Sequence, residues 1–230
     1  TEVSEIPVFS KDDLDCMITS LLARTPANLY RNRALLAVLF DSGARAEEIL
    51  NVRMGHIWEE NKVYKIRITV SKSQTRTLSL PLSTDHLRNW LNVHPAKEEP
   101  LAQLFPLTYP QLHKLIKRAG RVIPGIKITP HTFRHSGASY WANHLPQYLM
   151  TSRFGWSTNS KMPQRYINRN ALTEEKVLSV TKQNTIESLE QQNEELREQM
   201  AVMRQQMDKF FDEDVREAKR IIQMFKDKEK

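Results

Sequence analysis

Four short segments carry residue types able to act on a phosphate ester. The first, Ser42-Gly43-Ala44-Arg45-Ala46-Glu47-Glu48-Ile49-Leu50, ends one helix at Gly43 and sets Arg45 where the next begins. The second, Ser71 to Arg76, puts Lys72 on a turn between two strands, where a lysine is either solvated or reaches a groove and meets a phosphate. The third, Thr129-Pro130-His131-Thr132-Phe133-Arg134-His135, places His131 and Arg134 at i and i+3 on one helical face. A group that titrates near neutrality then stands beside a permanent cation whose planar fork fits phosphate oxygens. The fourth, Phe154-Gly155-Trp156, precedes Gln164-Arg165-Tyr166-Ile167-Asn168 by a few residues and offers an indole N–H and a phenolic hydroxyl. Taken singly, each has an ordinary reading. An arginine before a helix or a lysine on a turn is usually solvated, and an isolated Tyr or Trp is usually core.

Charge narrows the partner. The 230 residues hold 34 Lys+Arg against 27 Asp+Glu, a formal net charge of +7, which favours an anionic partner. Residues 181–230 contain 10 basic and 12 acidic side chains, whereas residues 1–180 contain 24 and 15, so the basic character (+9) belongs to the first part. The single cysteine, Cys16, rules out an intramolecular disulfide or a cysteine-based zinc site, and reads as an idle or packed thiol. Six glycines argue against a glycine-rich nucleotide loop. The longest apolar run, Ala34–Phe40, is far too short for a membrane span. No signal peptide precedes the first helix, and a start at Thr1 reads as a processed or truncated product.

The elements that must position these residues are mostly helical. Ser10, with Asp12 and Asp13 behind it, reads as the cap of a first helix. Residues 29–41 read as a buried helix and Ala46–Val52 as a short one. Val63–Val70 alternates as a strand, and Arg76–Leu82 is a second, with Pro81 marking an edge or an end. Ser83 reads as the cap of a helix carrying Leu87, Trp90 and Leu91, and Tyr109–Ala119 as another helix. After Pro130 the chain reads as helical in short pieces. The expected class is mostly α with a small antiparallel β ribbon or sheet.

The tail differs. Ile186, Leu189, Asn193, Leu196, Met200, Met203, Met207 and Phe210 recur at spacings of three and four, an a/d heptad pattern unbroken by Gly or Pro. Asn193 at an a position is a device for fixing register. The expectation is a catalytic-type domain over 1–180 and a coiled-coil or oligomerisation helix over 181–230. The sustained repeat favours self-association through this tail.

Together, in order and spacing, the four segments resemble the catalytic domain of the tyrosine recombinase (phage integrase) family, over roughly Ser10 to Asn168. Arg45 matches the arginine of the family's first box. Lys72 matches its ribbon-turn lysine, followed by Arg76 and Leu80-Pro81-Leu82. His131 and Arg134 match its His-x-x-Arg-His box, Trp156 replaces a commoner histidine, and Tyr166 falls at the nucleophile. The resemblance implies Arg45, Lys72, His131, Arg134, Trp156 and Tyr166 as catalytic residues. Arg76, Lys127, Arg153, Lys161, Arg165 and Arg169 are expected to position double-stranded DNA through phosphates.

The implied activity is site-specific strand breakage and rejoining through a 3′-phosphotyrosine, with no metal and no cofactor. Self-association as a dimer or tetramer on DNA is implied as well, and so is an intracellular, DNA-associated location with no membrane partner. The small DNA-binding domain that usually precedes this one is expected to be absent. A type IB topoisomerase, a telomere-resolvase-like strand transferase, and a non-catalytic DNA-binding assembly protein remain the alternatives.

Overall fold

In a computed structural model of the chain, residues 7–69 and 75–169 are described, together with positions 193, 194, 197, 200, 201, 203 and 204. Contacts divide the chain into two units, Thr1–Ala171 and Leu172–Lys230.

Local capping chemistry sets the helix starts. Helix α1 (Lys11–Thr19) begins where the Ser10 hydroxyl accepts from the Asp13 N–H at 3.0 Å and the Asp13 carboxylate accepts from the Ser10 N–H at 2.8 Å. Helix α2 (Pro26–Ser42) is longer than the periodicity predicts. Thr25 caps it, Pro26 sits in its first turn, and Gly43 ends it in the left-handed conformation at φ 55°. From Ala34 to Ser42 this helix is buried throughout, so it shows no amphipathic stripe, and α1 packs against it.

Helix α3 (Ala46–Leu50) follows at once and leads into three antiparallel strands in the order β1 (Ile57–Glu60), β2 (Val63–Ile68) and β3 (Arg76–Ser79). The expected two-strand ribbon is therefore a three-stranded sheet. Strand β1, Ile-Trp-Glu-Glu, has no alternation to betray it, and it turns into β2 through Asn61 and Lys62, both at positive φ (52° and 63°). That is the primed turn a two-residue hairpin requires, made here without glycine.

Helices α4 (Thr84–Asn92), α5 (Tyr109–Ala119), α6 (Pro130–Ala142), α7 (Gln147–Phe154) and α8 (Met162–Arg169) complete the unit. Ser83 precedes α4 as expected, but its side chain caps nothing. Its N–H and hydroxyl both donate to the buried Asp41 carboxylate, at 2.9 and 3.0 Å. Thr108 and Thr129 do cap α5 and α6.

The main core gathers side chains such as Leu14, Leu35, Phe40, Leu87, Phe105, Ile116 and Phe133. A smaller cluster holds Ala138, Met150, Phe154 and Tyr166. Helix α6 joins the two, and Gly137 lets it do so. A Cβ there would lie 2.2 Å from the Phe40 carbonyl oxygen, so α6 crosses α2 at backbone contact.

In the second unit the seven described positions are helical and exposed, Met200 and Met203 at 67% and 64%. The remaining positions of the heptad pattern lie outside the described residues. Among the described residues no helix is long and apolar enough to cross a membrane.

Candidate active site

The site lies where α2 and α7 end, α3 and α6 begin, and α8 packs over them. Arg45 occupies the cap position of α3. Three residues on, Glu48 is 4% exposed and accepts from the Arg45 N–H at 2.8 Å and from its guanidinium at 3.1 Å. The same carboxylate accepts from Arg76 at 2.7 and 3.4 Å. Glu48 thus holds two guanidinium groups together, while the Arg45 side chain stays 42% exposed and able to meet a ligand.

Arg134, on α6, is buried and bridges two helix ends. One terminal nitrogen donates to the Gly43 carbonyl at 2.6 Å and the other to the Phe154 carbonyl at 2.7 Å. Gly43 and Gly155 both take left-handed backbone, at φ 55° and 60°, and so leave carbonyls at the ends of α2 and α7 free to accept. A cation there also opposes the partial negative charge of two helix C-termini. Burial, followed by the nearby Arg45 and Arg76 charges, pushes the Arg134 guanidinium down to about 10, with Glu48 opposing; it is still a cation at neutral pH.

The last turn of α7 is clamped further. Arg76 Nε donates to the Arg153 carbonyl at 3.1 Å. The Arg153 guanidinium donates to the Asp41 carbonyl at 2.6 Å, the Asp41 carboxylate at 2.9 Å and the Ser79 carbonyl at 3.1 Å, and lies 4.2 Å over the Trp141 ring. This fixes Phe154-Gly155-Trp156. The Trp156 ring stacks on Phe154 at 4.8 Å and on Tyr166 at 5.7 Å, nearly parallel to the latter at 5°. The Arg134 guanidinium lies 5.8 Å from the Trp156 ring. Tyr166 is 2% exposed, and its hydroxyl shares a hydrogen bond with His135 Nδ1. His131 is exposed in the first turn of α6.

Arg45, His131, Arg134, Trp156 and Tyr166 all belong to these meeting elements, whereas Lys72 lies outside the described residues. Lys127, Lys161 and Arg165 are exposed, and Arg169 is the last residue of α8. Arg76 and Arg153, expected to position DNA phosphates, are largely buried. Their side chains are only 7% and 11% exposed, and buried carboxylates already hold them. Sequence reasoning also passed over Glu48, Asp41 and His135 as site residues. For Glu48 a signal existed, because a glutamate three residues after a helix cap reaches back to it.

Residues 9–172 match the model of the phage integrase family. The chain belongs to the phage integrase family. This integrase-family chain is 28% identical over 109 residues to tyrosine recombinase XerA of Saccharolobus solfataricus, covering 47% of the chain and 36% of that protein. It is 30% identical over 149 residues to tyrosine recombinase XerH of Campylobacter jejuni, covering 59% and 41%. The chain thus spans well under half the length of these curated relatives. In fold it resembles XerH bound to its difH substrate before cleavage, at a TM-score of 0.57 and 20% identity, over 71% of the chain and 51% of that one. It also resembles the catalytic domain of bacteriophage HP1 integrase, at a TM-score of 0.52 and 20% identity, over 80% and 98%.

Proposed function

We propose that the chain is the strand-transfer domain of a site-specific DNA recombinase, working through a covalent 3′-phosphotyrosine. The observation that carries this reading is the placing of Tyr166 against Trp156, with the Arg134 cation beside that ring and Arg45 tied in through Glu48. Tyr166 attacks the phosphodiester in line, forming the tyrosyl–phosphate bond and expelling a 5′-hydroxyl; a new 5′-hydroxyl reverses the step. Arg45 and Arg134 clamp the non-bridging oxygens as charge builds, from a frame that does not have to reorganise. His135, already bonded to the phenol, is a group able to take its proton, and His131 contacts the same phosphate. Trp156 donates its indole N–H to a phosphate oxygen. Lys72 protonates the leaving 5′-oxygen.

Duplex DNA is the partner, recognised first through phosphates, so binding weakens steeply with salt. The similarity in fold to a XerH–difH complex and to a λ integrase dimer on a core site supports this choice. Self-association runs through residues beyond about 173, supported by exposed Met200 and Met203 at a/d spacing. The test is adduct formation. Duplexes enriched from a random pool by binding to the chain are nicked near the bound site and incubated with it. A covalent protein–DNA species that resists denaturant is expected with the native chain.

A further inference from the structure

One buried residue ties together the elements that carry the site. Asp41 lies in the last turn of α2, four positions before Arg45, and its side chain is wholly buried. Its Oδ2 accepts from the N–H and the hydroxyl of Ser83, at 2.9 and 3.0 Å, where α4 begins. Its Oδ1 accepts from Arg153 of α7 at 2.9 Å. Its main-chain carbonyl accepts from Arg153 again, at 2.6 Å, and from the Trp141 indole of α6 at 2.7 Å. Helices α4, α6 and α7 are thus all bonded to this one residue.

Arg153 depends on Asp41. Its Nε is buried with no acceptor among the described residues, so its grip runs through the two terminal nitrogens. They make three bonds, two of them to Asp41 and one to the Ser79 carbonyl. What Arg153 secures is the chain that follows it. Phe154 is fully buried, and its ring edge fills the space that a Cβ on Gly43 would take. The face of the same ring stacks on Trp156, which stacks in turn on Tyr166. Close packing therefore carries a shift at Arg153 to the indole on one side and to the Gly43–Arg45 turn on the other.

We infer that Asp41 is a positioning residue for strand transfer, acting through Arg153 to hold Trp156 against Tyr166. The inference rests on the reading of Tyr166 as acting on DNA. The hold depends on charge. Ser83 already gives Oδ2 two donors, so a proton is taken at Oδ1, where it meets the Arg153 N–H and displaces it. Among the described residues, Arg153 is the charge that shifts Asp41. From α6, the Arg134 cation is turned to the Gly43 carbonyl, and Tyr140 packs on Phe40 with the exposed His144 stacked on it. From α4, His86 faces Asp15, and α1 buries Leu14, Met17 and Ile18. Burial raises the Asp41 carboxyl to about 6, so the ion pair is complete above that pH and weakens as pH falls through it. Stability runs the other way, because burial favours the neutral acid. Acid therefore slows strand transfer while it stabilises the fold, a combination that a residue serving the fold alone does not produce.

The test uses the full 230-residue chain and the enriched, nicked duplex at saturating concentration. The single-turnover rate of adduct formation is followed from pH 5 to pH 8, with urea unfolding at each pH to confirm the fold. Native chain is compared with Asp41→Asn, which fixes the neutral form. At pH 8 the variant is expected to react roughly ten- to a hundredfold slower, with the duplex Kd within about twofold of native. The ratio of native to variant rate cancels the titrations that both share, those of His131 and His135 among them. It should fall toward one in acid, with a midpoint of about 6. Ser83→Ala removes one donor to Oδ2, raises the carboxyl further, and should move that midpoint to higher pH. A flat ratio, a native rate for Asp41→Asn at pH 8, or an unmoved midpoint in Ser83→Ala overturns the inference. Should Asp41→Asn fail to fold, the acid limbs of native chain and Ser83→Ala decide: upward displacement supports the inference and superposition overturns it. A native chain that makes no adduct at any pH overturns the recombinase reading and this inference with it. Adduct formation with a flat ratio overturns the inference alone.

Discussion

Asp41 and Arg134 both sit in the frame around Tyr166, and burial acts on each differently. Burial raises the Asp41 carboxyl to about 6, against the lowering pull of Arg153 and of the Ser83 hydrogen bonds. Its folded value thus exceeds its ordinary 3.8. Stability from this group is fully present below that value and is lost as pH rises through about 6. Native chain should therefore lose up to about 3 kcal/mol relative to Asp41→Asn between pH 4 and pH 7, by urea unfolding. A pH-independent difference would contradict the assignment. Asp41→Ala strands the Arg153 guanidinium and should cost about 3–5 kcal/mol at neutral pH. Arg134→Ala removes the tie between Gly43 and Phe154 and one phosphate clamp. Adduct formation should drop by about a hundredfold or more, with roughly 1–3 kcal/mol of stability lost. Arg45, His131 and Arg134 could be singled out because each lies in a short local pattern. The burial of Arg76 and Arg153 was not legible because their acids are far away in sequence, Glu48 by 28 positions and Asp41 by 112. No local pattern distinguishes a buried arginine from a solvated one.

Among the elements, the crossing of α2 and α6 does most to assemble the site, since it sets Arg134 over the end of α2. Gly137→Ala forces a methyl against the Phe40 carbonyl and should cost about 1–3 kcal/mol, seen as a lower urea midpoint with an unchanged slope. If it unfolds like the native chain, the close crossing is wrong. The start of α1 was legible because caps are local, and Ser10 serves as its side-chain chemistry predicts. Strand β1 was not, being short and without alternation. Ser83 was not, because a long-range acid outcompetes the local N–H as its partner. Helix α2 outran its pattern because a helix buried on every side carries no periodic boundary.

For the whole molecule, residues 1–180 carry the basic charge and residues 181–230 are near neutral with heptad spacing, while contacts divide the chain between Ala171 and Leu172. If the tail joins protomers, sedimentation should show a larger assembly for the full chain than for residues 1–180. An equal number of protomers per assembly for both would remove the tail from assembly. The central claim concerns Tyr166, and denaturing electrophoresis of nicked, labelled duplex tests it most directly. The native chain should trap a slow, protease-sensitive adduct, and Tyr166→Phe should trap none. An adduct that survives Tyr166→Phe would contradict the account.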